Sequence, residues 1–250
     1  MHHFDHSLAT PAENVAFDEA ILEWAEKQSA KGALLRLWES TQPMVVVGRS
    51  SRVEQEVDVA FCRREGMPVL RRSSGGAAIV TGPGCLMYAL VLSHAVQTEL
   101  SDITRAHAFV MKQLTRAIGP LVSDAGTVAC VGTSDLVLDA GSDVASARKF
   151  SGNSLRMKRT HLLYHGTLLY DFDLALITKC LRTPPRQPEY RQKREHGEFV
   201  ANLPVNRQQL VEAVASAFPM ASPPSEVPLS RVEELVAERF SKDEWNYEFR

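Results

Sequence analysis

The stretch Val69–Gly84, VLRRSSGGAAIVTGPG, places two arginines and a run of small residues between two apolar segments. Small residues after a strand let backbone N–H groups approach a ligand closely, and a cluster of such donors binds anionic oxygens. Arg71 and Arg72 would add charge-assisted contacts to a carboxylate or phosphate. The stretch therefore predicts an anion-binding loop at the end of a strand. Taken alone, it also fits a plain glycine turn with two solvated arginines.

Composition restricts the classes of protein that can carry this loop. The 250 residues suffice for a full core, and 44% hydrophobic with 23% charged residues is typical of a globular protein. The formal net charge of -2 provides no broad basic field, so we expect no nucleic-acid or membrane partner and a local anion site. The N-terminus lacks the pattern of a signal peptide, and no apolar run reaches the roughly 18 residues of a spanning helix. A cytoplasmic protein is expected.

The four cysteines also indicate a reducing compartment. They are widely spaced, and none forms a C-x-x-C pair, which argues against a zinc site or a disulfide framework. We predict no metal site built from protein ligands. These cysteines are Cys62, Cys85, Cys130 and Cys180.

Periodicity of apolar residues indicates the order of helices and strands. Helical spacing runs over residues 12–30, and β-rich runs at 33–39 and 43–50 predict neighbouring strands. One helix is expected over residues 53–66, before the anion-binding loop. Further strands and helices are predicted along the chain, and two of these strands form a hairpin. This order of elements favours an α+β fold with a mixed, mostly antiparallel sheet flanked by helices. Two further helices are predicted within residues 205–250, separated by a Pro- and Ser-rich linker.

A second motif lies in the predicted hairpin. The segment RKFSGNS, residues 148–154, carries Lys149 in a strand-like context, and YHGTLLY follows at residues 164–170. A hairpin would bring His165 near Lys149, whose ammonium group would then lie over a reacting acyl phosphate. A lone lysine on a strand is otherwise a solvated edge charge.

Together these segments resemble the lipoate-protein ligase family, within the larger group of biotin and lipoate ligases and octanoyltransferases. The resemblance covers roughly residues 12–175, and a weaker echo lies in AERFSKDEWNYEF near the C-terminus. The motifs occur in order as ENVAFDEAIL, LLRLWE, VVVGRS, GMPVLRRSSGGAAIV, SDLVL, KFSGNS and HGTLLYDFDL.

The resemblance implies a catalytic domain like those of class II aminoacyl-tRNA synthetases and biotin ligases. It implies that residues 1–204 form this domain and that residues 205–250 pack on it without a separate accessory domain. ATP, Mg²⁺ and lipoate or octanoate would be the small molecules. Lipoate would attack the α-phosphate of ATP, and the acyl group of lipoyl-AMP would pass to a lysine of an acceptor lipoyl domain. The acceptors would be 2-oxo acid dehydrogenase E2 subunits or the glycine-cleavage H protein.

The resemblance also assigns roles to single residues. Lys149 would be the catalytic residue that steadies negative charge in both acyl transfers. Asn14 and Asp18 match a helix pattern that supports the site. The remaining residues would line the site for substrate and nucleotide: Arg71, Arg72, Ser74, Gly75, Gly76, Ala77, Ala78, Gly152, Asn153, His165 and Gly166.

Several positions depart from the family pattern. Ligases usually have a third glycine, then a histidine and an acidic residue, and a little later Gly-Asn, where this chain has Ala77, Thr81, Gly82 and the pair Gly84-Cys85. The methyl group of Ala77 narrows the approach of a phosphate, and Thr81 supplies no imidazole. Ligases without the accessory domain can also need a separate partner protein, so an accessory subunit is a further possible partner.

Other functions remain open on the sequence. Some relatives are octanoyl- or lipoyl-transferases that hold the acyl chain as a cysteine thioester, and Cys130 is a possible nucleophile of this kind. A small core cysteine is the plainer interpretation, and Cys180 has a weaker claim. A third hypothesis is a non-catalytic relative that binds lipoate or an adenylate.

The polar segment of residues 182–199, RTPPRQPEYRQKREHGEF, predicts a long surface loop. Acceptor lipoyl domains tend to be acidic, so this loop would dock the acceptor or cover the bound nucleotide. A solvated run of charge is the alternative. The basic residues of the loop are Arg182, Arg186, Arg191, Lys193 and Arg194.

Overall fold

The computed structural model describes residues 4–29, 32–96, 98–139, 147–183, 187–219, 221 and 227–248. The strands are β1 (Phe4–Asp5), β2 (Ala33–Trp38), β3 (Met44–Val47), β4 (Val69–Arg71), β5 (Ile79–Thr81), β6 (Cys85–Ser93), β7 (Thr127–Val131), β8 (Asp135–Asp139), β9 (Arg148–Ser151), β10 (Asn153–Met157) and β11 (His161–Leu169). The α-helices are α1 (Pro11–Gln28), α2 (Val53–Glu56), α3 (Val59–Arg64), α4 (Ile103–Ile118), α5 (Leu174–Cys180), α6 (His196–Phe199), α7 (Arg207–Ala217), α8 (Leu229–Leu235) and α9 (Asp243–Asn246).

A five-stranded sheet in the order β1-β2-β6-β11-β10 forms the centre of the fold. Only its β1-β2 pair is parallel. Alternate residues of β2 enter different cores: Leu34 and Trp38 lie in a core with α1 and α8, whereas Leu35 and Leu37 lie in a core with α4 and α7. Helices therefore cover both faces, and the expected α+β fold with a mixed, mostly antiparallel sheet is confirmed.

Two smaller sheets stand beside the central one, in the orders β4-β3-β5 and β7-β8-β9. The prediction that β2 and β3 are neighbouring strands is wrong. Both edges of β2 are taken, by β1 and β6, so after a turn at residues 39–43 the chain starts a new sheet in which β3 lies between β4 and β5.

The prediction of a single helix over residues 53–66 is also wrong, because the chain forms two short helices there, α2 and α3, with a break between them. Val57 leaves the helical conformation and forms an antiparallel β-bridge with Leu181. The side chain of Asp58 then caps α3 by accepting a hydrogen bond from the N–H of Phe61. A tertiary contact thus overrides the local helical pattern.

The C-terminal helices pack on both sides of the central sheet, α7 against α4 and α8 against α1. The linker between them lies largely outside the described residues. Among the described helices, none combines the length and the apolar character needed to cross a bilayer.

Arg71 ties the C-terminal region to the anion-binding loop. Its side chain is fully buried, and its guanidinium group donates to five backbone carbonyl oxygens. These belong to Gly48, Arg49, Ser51, Trp245 and Asn246. The indole N–H of Trp245 returns a bond to the carbonyl of Arg71. Residues 48–51 and residues 245–246, which are far apart in sequence, therefore bind the same guanidinium group.

Replacing Arg71 by methionine is expected to lower the free energy of unfolding by about 3 kcal/mol or more, since hydrogen bonds from a charged donor contribute roughly 1.5–3 kcal/mol each. Arg49→Met is the matched control, because Arg49 pairs with Glu248 at the exposed surface and such pairs contribute about 0–1 kcal/mol. Urea unfolding of both variants tests this. Equal losses in the two would contradict the role given to Arg71.

Candidate functional site

A cavity of about 390 Å³ opens between the central sheet, the anion-binding loop and the segment of residues 187–200. Its volume is within the range of small-molecule sites. One part of its wall is apolar and belongs to the core with α1 and α8. It includes Val15, Trp38, Val46, Met87, Leu169 and Ile177. The polar part includes Glu56, Asp135, Lys149, Asn153, Arg191 and His196.

The two arginines of the anion-binding loop hold its backbone in place. Arg72 is buried, and its guanidinium group donates to the Ser74 hydroxyl and to the carbonyls of Val46, Gly75 and Ala77. Burial lowers the pKa of Arg72 to about 10, so it stays charged at pH 7. Arg71 does not line the cavity. For Arg71 the expected contact with a ligand is corrected, because backbone carbonyls are its acceptors. Arg72 lines the cavity while it also donates to the loop, and its contact with a ligand stays a prediction.

The loop binds a carboxylate oxygen of the protein itself. The N–H of Ala78 donates to Glu56 Oε2 at 2.6 Å. Gly76, Ala77 and Ala78 line the cavity, whereas Ser74 and Gly75 do not. Gly76 has φ +87°, and a Cβ there would lie 2.9 Å from the guanidinium of Arg72. The close packing of Arg72 thus requires glycine at position 76.

His165 is fixed by a buried chain of polar groups. Its Nε2 lies 2.6 Å from Ser74 Oγ, and its Nδ1 lies 3.0 Å from Asp18 Oδ2. Arg36 donates to the other oxygen of Asp18 at 2.8 Å. The connectivity is that of a nucleophile–base–acid triad, but Ser74 is only 1% exposed and also accepts from Arg72. With both ring nitrogens engaged, His165 serves as a fixed wall of the cavity.

Lys149 faces the cavity from β9. Its Nζ lies 2.8 Å from Asp135 Oδ1, and Oδ2 of the same carboxylate accepts a 2.7 Å hydrogen bond from the Tyr190 hydroxyl. A Cβ on Gly152 would lie 3.0 Å from Nζ, so this glycine gives the lysine its space. Lys149 is therefore a positioned cation inside a cleft.

The motifs around Asn153 and Gly166 fit together across β10 and β11, where these two residues are paired. The Asn153 amide donates to the Ser134 carbonyl and the Ser151 hydroxyl, and its oxygen accepts from the Tyr88 hydroxyl. A Cβ on Gly166 would lie 1.8 Å from that oxygen. Glycine is thus needed at position 166 to leave room for the Asn153 amide.

The burial of residues 187–200 in the cavity wall was not predicted, although the basic residues of this loop were expected to dock the acceptor or cover the bound nucleotide. Tyr190, Arg191, His196 and Phe199 are buried, and all but Tyr190 line the cavity. The expected surface loop instead contains a 3₁₀ turn at Glu189–Arg191 and helix α6. Two aromatic residues among the charges, at positions 190 and 199, were the signal for burial.

The other basic residues of the predicted loop differ in burial and in their contacts. Arg194 donates to the carbonyls of Ala147, Tyr190 and Arg191, which ties the segment to the start of β9. Arg182 lines the cavity mouth from an exposed position, and Lys193 is exposed. Arg186 lies outside the described residues.

Cys130 lies apart from the cavity. Cys130 pairs on β8 with Leu136, which lies in the core with α4 and α7. Lys149 pairs with Val137, which lies in the core with α1 and α8. Cys130 and Lys149 therefore face opposite sides of this small sheet. The thiol is exposed, but partial exclusion of water and then the Asp135 carboxylate raise its pKa.

These surroundings predict the alkylation behaviour of the native protein. Cys130 is exposed, and Cys62, Cys85 and Cys180 are buried, so iodoacetamide should modify one thiol and Cys130→Ser should abolish the reaction. Because the thiolate reacts and the pKa is raised, the rate should still be rising above pH 9. A rate that levels off below pH 8 would contradict this environment.

Among the described residues, no group of three or more His, Cys, Asp or Glu side chains is arranged to hold a metal ion.

Comparison with solved structures shows a shared fold. The chain matches one structure titled as a bi-partite lipoate protein ligase and its E2 lipoyl domain from Thermoplasma acidophilum, at 23% identity and TM-score 0.78, over 100% of this chain and 98% of that one. A structure of lipoate-protein ligase A bound with ATP matches at 22% identity and TM-score 0.76, over 100% of both chains.

Curated relatives carry two different activity names. An octanoyltransferase LipM from Oceanobacillus iheyensis is 27% identical over 94% of this chain and 89% of its own length. A probable lipoate-protein ligase A from Mycoplasma pneumoniae is 24% identical over 96% of this chain and 70% of its own length. Residues 10–219 match the family model described as lipoyl protein ligase A/B catalytic domain, so the chain belongs to that family.

Proposed function

We propose that this enzyme is an ATP-dependent lipoate-protein ligase, which forms lipoyl-AMP in the cavity and transfers the acyl group to a lysine of an acceptor lipoyl domain. The observation that carries the proposal is the position of Lys149, a cation set into a cleft beside an apolar wall and backed by Asp135. Simple binding would not need such a group, which argues against a non-catalytic relative.

The two proposed steps build negative charge at the same place. In the first, a lipoate carboxylate oxygen attacks the α-phosphorus of ATP, and pyrophosphate leaves. In the second, the acceptor amine attacks the acyl carbonyl carbon, and AMP leaves. The Lys149 ammonium stabilises the oxygens around the acyl carbon in both transition states.

The rest of the cavity suits the other parts of the substrates. Val46, Met87 and Leu169 offer an apolar wall to an aliphatic chain such as that of lipoate or octanoate. Magnesium would arrive on the nucleotide phosphates. The charge of Glu56 at Ala78 would keep phosphates away from the anion-binding loop and towards Lys149.

For the acceptor we propose a lipoyl domain of a 2-oxo acid dehydrogenase E2 subunit or the glycine-cleavage H protein. The Thermoplasma structure, which is of a ligase and its E2 lipoyl domain, supports the first of these. That ligase is bi-partite, and the present chain covers 98% of the matched chain. A separate accessory subunit is therefore part of the proposal.

A second candidate is an octanoyl- or lipoyl-transferase that works through a Cys130 thioester. Its support is the exposed thiol and the likeness to octanoyltransferases over most of their length. The raised pKa of Cys130 and its separation from Lys149 favour the ligase.

Intact mass spectrometry of an apo lipoyl domain separates the two candidates. Wild-type enzyme with lipoate and Mg-ATP should add one lipoyl mass, and Cys130→Ser should behave like wild type. Lys149→Ala should slow the transfer by about 100-fold or more, on the scale of losing one preorganised charge. Lys112→Ala, at an exposed position of α4, is the matched control.

A mass shift seen only with an octanoyl carrier thioester, and lost in Cys130→Ser, would contradict the ligase and establish the transferase. No shift with either donor, even with the accessory subunit added, would contradict both.

The space that Gly152 leaves for Lys149 gives a finer test. Gly152→Ala should displace Nζ by a few tenths of an ångström and slow acyl transfer by about 10-fold, with little change in stability. Gly119→Ala is the control, because its Cβ would meet nothing within 4 Å. Transfer rates and urea unfolding should be measured for both, and an unimpaired Gly152→Ala enzyme would contradict the positioning of Lys149.

A further inference from the structure

The cations on the cavity wall differ in how fully their hydrogen-bonding groups are used. Arg72 donates to the loop, and Lys149 is paired with Asp135. The pKa of His196 is lowered, mainly by burial and then by Arg191 and Lys149, so it is neutral at pH 7. Among the buried cations of the wall Arg191 is the exception: it is only 4% exposed, and its Nη2 has no hydrogen-bond partner among the described residues.

Arg191 lines the cavity, and the residues around it hold its side chain in place. Its Nε donates to the Arg194 carbonyl, and Arg194 Nε donates back to the carbonyl of Arg191. The guanidinium carbon lies 4.9 Å from the ring centre of Phe199. Gln192 and Lys193 follow at φ 50° and 60°, a left-handed conformation that non-glycine residues adopt rarely. Across this turn Arg191 is buried and Lys193, two residues later, is exposed.

An unpaired donor on a buried guanidinium group is costly unless a ligand satisfies it. Arginine favours phosphate and carboxylate because its donors match two oxygens at once. Lys149 and Arg191 line one cavity, and His196 is influenced by both charges. An anion that binds Arg191 would therefore lie near the group expected to act on the acyl carbon.

We propose that the guanidinium group of Arg191 binds a non-bridging phosphate oxygen of the activated acyl donor. This deepens the proposed function and rests on it for the identity of the phosphate, which would be the α-phosphate of the nucleotide. The same chemistry would serve the phosphate of a phosphopantetheine-type carrier arm if the enzyme used a thioester donor.

Calorimetric titration with AMP tests the contact. Arg191→Gln should weaken AMP binding by about 10-fold or more, while octanoate binding changes less than about 2-fold. Arg191→Lys keeps the charge but loses the fork, so its AMP affinity should lie between those of wild type and Arg191→Gln. Lys193→Gln removes the same charge two residues away, from an exposed side chain, and should bind AMP like wild type.

The outcomes separate this contact from the proposed function. If wild-type enzyme does not bind AMP, the ligase proposal fails, and the titration is repeated with octanoyl-phosphopantetheine and with octanoyl-N-acetylcysteamine, which has no phosphate. Weaker binding of only the phosphate-bearing thioester in Arg191→Gln would support the contact. Wild-type affinity of Arg191→Gln for both AMP and octanoyl-phosphopantetheine, or equal weakening of the phosphate-free ligands, would overturn it.

Discussion

The guanidinium groups of Arg71 and Arg72 donate to backbone carbonyls, and the geometry of the site depends on these bonds. Arg71 joins residues 48–51 to residues 245–246, and Arg72 draws the turn at residues 75–77 against β3. Tight turns leave carbonyl oxygens without strand or helix partners, and buried carbonyls need donors. Two consecutive arginines satisfy them at the place where three segments meet.

Other elements bring further cations to the cavity wall beside Arg72. Lys149 lies on β9, and Arg191 lies in the segment of residues 187–200. Asp135 couples the two elements, since one of its carboxylate oxygens contacts Lys149 and the other accepts from Tyr190. A change in how this segment packs would therefore displace the carboxylate that positions the lysine.

Much of the architecture is readable in the sequence because the long strands are nearly continuous apolar runs that are buried on both faces. The β-rich run of β2 and the apolar run of β6 predicted strands, and the turn near residues 156–160 predicted the β10–β11 hairpin. The same hairpin brought Gly166 opposite Asn153, so those residues were placed in one site before any contact was known. Pairing partners were less predictable, and β2 and β3 entered different sheets because pairing is a long-range property.

The site residues that sequence reasoning missed or misread are charged groups whose neighbours come from far along the chain. Arg71 and Arg72 indicated an anion site because arginine donors commonly meet anions, but here their acceptors are carbonyls. Arg191 lies in a polar stretch that indicates solvent, and its burial depends on Phe199 and on the tie from Arg194 to Ala147. Such contacts cannot be counted from composition.

The most direct test of the account is a crystal structure with a non-hydrolysable lipoyl-adenylate analogue. The acyl chain should lie along Val46, Met87 and Leu169, with Lys149 Nζ within about 3.2 Å of an oxygen at the acyl–phosphate junction and Arg72 still bonded to its carbonyls. A complex in which Arg72 leaves the loop to contact the ligand, or in which Lys149 points away from the acyl carbon, would contradict it.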